Sequence, residues 1–167
     1  RYRVERVHRF DASVDRLWRR TREELCVAAV RDARYLDWRY LDCPDLEYTA
    51  LRAVDRLSGR TAGVAVLRFG WFDEPIAPIV EWLVPARAPG VAALLLDACH
   101  DLARERSLRA TRIWLPSSAA AHRVVRALGY QPEETPFLLT KLADADTGRA
   151  RVMARSWYYT MGDSDIY

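Results

Sequence analysis

The chain has 167 residues, 50% hydrophobic and 29% charged, with a net charge of +3. That length suits one domain with its own core, and the composition excludes an intrinsically disordered chain. No apolar run is long enough to span a bilayer, and Lys141 is the one lysine among many arginines. The densest basic cluster, Arg16, Arg19, Arg20 and Arg22, is interleaved with Asp15, Glu23 and Glu24. It reads as a solvated helix face, so no nucleic-acid partner is expected. Cys26, Cys43 and Cys99 are odd in number and lack CxxC spacing. Neither a disulfide framework nor a metal site is expected, and the setting is read as reducing and cytoplasmic. The sequence opens at Arg1 on a strand pattern without a leader peptide. It is therefore read as a single domain over 1–167, excised from a longer chain with an upstream partner domain, or else a homodimer.

Alternation of Tyr2, Val4, Val7 and Phe10 predicts a first strand. Asp11 or Ser13 caps a helix whose apolar stripe is Leu17, Trp18, Leu25 and Val27. A second short helix covers Ala33 to Leu41, ended by Asp42-Cys43-Pro44, because proline disfavours helix in the residue before it. Tyr48 to Asp55 and Thr61 to Trp71 read as a hairpin pair joined through Ser58-Gly59. Asp73-Glu74-Pro75 is a turn, and Ile76 to Val84 is the next strand, with Pro78 restricting or bulging its start. A helix runs from Val91 to Arg106 with Cys99 as a small core residue. A strand follows at Thr111 to Leu115, then a helix from Ser117 to Leu128. Pro136 to Lys141 is a strand, 143–150 a loop, Trp157 to Met161 a last strand and Gly162 to Asp165 an acidic tail.

The strand ending at Val84 hands over to a helix through Pro85-Ala86-Arg87-Ala88-Pro89-Gly90. A helix start presents unpaired N–H groups and the positive end of the helix dipole, so it can hold an anion. Arg87-x-x-Gly90-x-Ala92 there, with the strand–helix–strand–helix order around it, resembles the acyl-CoA-binding half of the GNAT N-acyltransferase superfamily. The family turn has the form Gln/Arg-x-x-Gly-x-Gly/Ala, which Arg87, Gly90 and Ala92 match. From the residues alone, a plain strand-to-helix turn with Arg87 in solvent fits equally well.

The resemblance covers nearly all of the chain and implies an α+β fold. It consists of a mixed, mostly antiparallel central sheet of about seven strands flanked by about four helices. It implies transfer of an acyl group, such as acetyl, from acetyl-CoA to an amine on a small molecule, with no metal and no membrane. Arg87, Gly90, Val91 and Ala92 would meet the pyrophosphate, the edge of Leu83 and Val84 the pantetheine, and Ser118 the cofactor. Glu81 would be the general base, against the alternative of a carboxylate pointing outward to a surface arginine. The family places its first helices at the acceptor side, where Trp38 and Tyr40 would shape a pocket, against the alternative that both are core. The chain departs from the family at Pro89, which has no N–H, and at Val125, where the family places a thiol-protonating tyrosine. The alternative function is a non-catalytic half of a tandem GNAT protein, kept for packing or partner binding.

Overall fold

The structure, a computed structural model, describes residues 1–70, 74–133, 148 and 155–164. The expected strand Pro136 to Lys141 and, Gly148 apart, the expected loop at 143–150 lie outside the described residues.

The first strand, β1 (Tyr2–Val7), leads into helix α1 (Ala12–Thr21). Asp11 caps α1 by accepting the Ser13 N–H at 2.8 Å, and Val14, Leu17, Trp18 and Thr21 form its buried stripe. The helix stops four residues before the expected Leu25, in a 3-10 turn over Arg22–Glu24. Val27 belongs instead to a short strand, β2 (Val27–Ala28), which pairs in parallel with Trp157–Tyr158. That long-range pairing overrides the local helical period.

Helix α2 (Ala33–Leu36) is capped by Asp32 and widens into a π turn over Asp37–Leu41, closed by Asp42 N–H to the Asp37 carbonyl at 2.8 Å. Leu36 and Tyr40, four apart, share the buried face. Trp38 lies between them on the opposite side and is 66% exposed. The aromatic bulk of this helix is therefore divided: Tyr40 is core and Trp38 is not.

Strands β3 (Tyr48–Asp55), β4 (Thr61–Arg68), β5 (Ile76–Leu83) and β6 (Ala110–Ile113) join β1 in a sheet ordered β1-β3-β4-β5-β6. All neighbours are antiparallel except β5 and β6, which helix α3 (Pro89–Glu105) connects in parallel. Val64, Ala65, Val66 and Leu67 on β4 are all fully buried, because helices cover both faces of the sheet. One core packs α3 and helix α4 (Ala120–Ala127) on the sheet through Ile79, Trp82, Leu95 and Cys99. The other packs α1 and α2 on the opposite face through Val14, Leu17, Leu36 and Tyr40. A side chain at Gly63 would meet Val91 Cγ1 at 2.8 Å, so a glycine lets α3 close on β4.

Among the described residues the central sheet has five strands rather than seven; β2 and β7 (Trp157–Tyr158) form a separate pair. The last strand is two residues long. Where the acidic tail is expected, Met161–Asp163 form a 3-10 turn with Met161 and Gly162 buried, in which Thr160 and Asp163 cap each other, while Asp165 lies outside the described residues. Helix α4 has Ala119 at its N-cap with no side-chain bond, so Ser117 and Ser118 do not cap it.

Candidate functional site

β5 and β6 pair only from Ile76 opposite Ala110 to Ile79 opposite Ile113. Past that point β5 runs on beside β4 alone, since its register there is Glu81 to Val66, Trp82 to Ala65 and Leu83 to Val64. The register shifts between Val66 and Leu67, so Val80 is the extra residue of a β-bulge. A bulge bends its strand, and here it lies where the two parallel strands part company.

The bulge also sets which way Glu81 points. Val80 sits in the α1/α2 core and Glu81 bonds Tyr40 of the same core, so both side chains take one face. Glu81 is 0% exposed and so is Arg31, whose Nε donates to Glu81 Oε1 at 2.9 Å. The Trp82 N–H donates to the same oxygen at 2.9 Å, and the Tyr40 hydroxyl to Oε2 at 3.1 Å. Arg31 also donates to the Ala29 carbonyl at 2.9 Å and to Asp163. Glu81 therefore pairs with an arginine, but a buried one, and it does not point outward. Burial alone would weaken the Arg31 charge; the carboxylates of Glu81 and Asp163 more than offset this and hold its pKa above the usual value. Burial, reinforced by the Glu81 charge, keeps the Tyr40 hydroxyl protonated well beyond its ordinary range.

In an extended strand the N–H and C=O of one residue point to the same side, and successive residues alternate. Trp82 gives its N–H to Glu81 and its carbonyl accepts the Tyr158 hydroxyl at 2.5 Å. Both groups thus face the edge that β6 has left. Leu83 turns its backbone to β4, and the next residue facing that edge is Val84. Tyr158 lies under the Arg31 guanidinium, 5.2 Å from ring centroid to Cζ, and burial raises its pKa despite that cation.

The turn beyond Val84 is locally self-bonded. Ala88 N–H reaches the Pro85 carbonyl at 3.0 Å; Val91 and Ala92 N–H reach the Ala88 carbonyl at 3.0 and 3.1 Å. Pro89 is the first residue of α3, a position where a missing N–H costs least. Val91 and Ala92 are buried, whereas a Cβ on Gly90 would meet nothing within 4 Å. Arg87 is not simply solvated: its Nε lies 3.4 Å from Glu24 Oε1, and the Ala86 N–H donates to Glu24 Oε2 at 2.9 Å. Between this turn, the start of α4 and β7 lies a groove of about 160 Å³. Val84, Ala86, Ser118, Glu24, Cys26 and Tyr158 line it.

The fold thus gathers Val84 and Ser118 on one groove, with the turn of Arg87 and Gly90 reached through Ala86. Leu83, Val91 and Ala92 support it from within the core, and Glu81 sits behind it. The sequence alone does not mark Tyr158, Arg31 or Glu24 as part of this site. Each is distant in sequence from its partner, and no local pattern marks a long-range contact. A larger basin of about 580 Å³ opens beside α1 and α2, lined by Asp15, Asp32, Asp37, Asp42 and Trp38. Its aspartates are committed to the fold: Asp15, Asp32 and Asp37 accept backbone N–H groups, and Asp42 pairs with Arg9. Among the described residues no group of three or more His, Cys, Asp or Glu could hold a metal ion, and no helix is long and apolar enough to cross a membrane.

No protein-family model matches the sequence, and no curated protein matches it. Solved structures do match. One is an aminoglycoside acetyltransferase from an uncultured soil metagenomic sample, seen with trehalose and with sisomicin. It is 16% identical with a TM-score of 0.58 over 86% of this chain and 97% of that one. A second is AAC(6')-Iy in complex with the bisubstrate analog CoA-S-monomethyl-acetylneamine, 18% identical with a TM-score of 0.57 over 86% of this chain and 99% of that one. A third is a tandem GNAT protein from the clavulanic acid biosynthesis pathway, 21% identical with a TM-score of 0.57 over 77% of this chain and 43% of that one. This chain has the GNAT fold.

Proposed function

We propose that this chain, built on the GNAT fold, is an acyl-CoA-dependent N-acyltransferase that moves an acetyl or other acyl group to the amine of a small molecule. The observation that carries this reading is the parting of β5 from β6 beside the start of α3. It supplies a strand edge that leads to a helix N-terminus, which suit an amide-bearing arm ending in a diphosphate. Val84 offers the arm its backbone, and Gly90 faces open space where phosphates could approach without a Cβ in the way. Arg87 adds charge and Ser118 a hydroxyl on the far wall. In the reaction the amine lone pair attacks the thioester carbonyl, the carbon–sulfur bond breaks, and sulfur leaves as thiolate with the amine's proton going to water. Glu81, with both oxygens already hydrogen-bonded, acts as a positioning residue that holds Arg31, Tyr40 and the Trp82 amide in place. Neighbours of this fold act on aminoglycosides, and an amine-bearing small molecule is the acceptor class we assign here.

Calorimetric titration with acetyl-CoA tests the reading, alongside Gly90→Glu. The added side chain enters open space, so the variant should fold like the parent, while its carboxylate repels the diphosphate. Micromolar binding that disappears in the variant is the expected result. Absence of binding at millimolar acetyl-CoA would end the transferase reading.

A further inference from the structure

Resting on the reading above, we propose that Glu24 is a built-in competitor for the diphosphate of the acyl donor, and that the donor binds only as this carboxylate is displaced. Glu24 ends the 3-10 turn after α1 and reaches across to a segment 62 residues away. Its two oxygens bind the Ala86 N–H at 2.9 Å and the Arg87 guanidinium at 3.4 Å. These are a backbone donor and a cation of the turn that leads into α3, so the turn holds an anion now, and that anion is the chain's own. Val91 and Ala92 direct their N–H groups to Ala88, and Pro89 has none. The turn therefore offers a diphosphate few donors, and Glu24 engages two of them.

The contact is built to be displaced. The Arg87 side chain is 64% exposed and that of Glu24 22% exposed, so water can replace either bond. Glu24 also lines the groove beside Val84 and Ser118, so its departure both empties the turn and widens the approach. A diphosphate brings more charge than one carboxylate and can displace it, at a cost in affinity equal to the strength of the lost bonds. Charge-assisted contacts of this type typically correspond to about a tenfold change in binding constant.

The test compares the parent with Glu24→Gln and Glu24→Ala by titrating coenzyme A and, separately, pantetheine, which has the arm but no phosphate. Thermal unfolding of each variant checks the fold. The expected result is coenzyme A binding tightened about tenfold in Glu24→Ala and less in Glu24→Gln, with pantetheine binding unchanged. Equal coenzyme A affinity in all three proteins would overturn the inference and leave the transferase reading standing. Equal tightening for pantetheine would also overturn it, showing that the side chain only narrows the groove. No coenzyme A binding by any of the three would overturn both.

Discussion

Glu81 shows how little a residue's type says about its task. An acid on a strand just before a strand-to-helix turn resembles a general base, yet here both carboxylate oxygens already accept hydrogen bonds: Arg31 and the Trp82 amide on one, Tyr40 on the other. A buried pair of this kind contributes little net stability compared with an apolar pair, but breaking it leaves a charge without a partner. Arg31→Met should therefore lower unfolding free energy by about 3–5 kcal/mol, and Glu81→Gln added to it should restore part of the loss. Urea unfolding of the two variants measures both effects. A cost below about 1 kcal/mol for Arg31→Met would mean that Glu81 is held by something other than the ion pair.

At the scale of elements, the sequence carries its own periods well and its long-range partners poorly. The strand Tyr48–Asp55 falls where alternation puts it, and α3 begins within two residues of the expected Val91. The hand-over from β5 to α3, which places the groove, was legible because glycine, proline and an amphipathic run occur together there. The bulge at Val80 was not, since it exists only in register with β4. The end of α1 and the fate of Val27 were hidden for the same reason: β2 forms against residues near position 157. The C-terminal segment is the largest departure. Two arginines of the α2 region pin it, Arg31 through Asp163 and Arg39 through the Gly162 carbonyl at 3.0 Å, and Met161 is fully buried. Acidic and small residues read as an acidic tail, but Gly162 lies against Tyr40. A Cβ there would come within 1.8 Å of the Tyr40 hydroxyl and 2.9 Å of the Val80 carbonyl. Tyr40 cannot swing aside without abandoning Glu81. Gly162→Ala should cost about 1–3 kcal/mol, the range for overpacking a core. A thermal midpoint equal to the parent's would show that this segment is not packed on the bulge.

Over the whole molecule, tyrosines bind the two cores to one pH limit. Tyr35 and Tyr40 lie on the α1/α2 side of the sheet, and Tyr130 and Tyr158 on the α3 side. Burial raises the pKa of each, to about 12 for Tyr35 and Tyr130, and upward likewise for Tyr40 and Tyr158. An unfolded tyrosine releases its proton near pH 10. Below about pH 10 both states hold these protons and the fold keeps its full stability. As pH rises from about 10 toward about 12 the unfolded chain ionises first, the folded one resists, and stability falls. Arg31 does not enter this window, because its neighbours push its pKa upward. Two measurements together check the argument. Urea midpoints should decline between about pH 9 and about pH 11, beyond what one exposed tyrosine would give. Tyrosinate absorbance of the native protein should show the four named tyrosines, of the chain's 8, held back until unfolding. If all of them titrated together near pH 10 with the fold intact, the rings would not be buried as placed. The link between Tyr158, Trp82 and the groove would then fail with them.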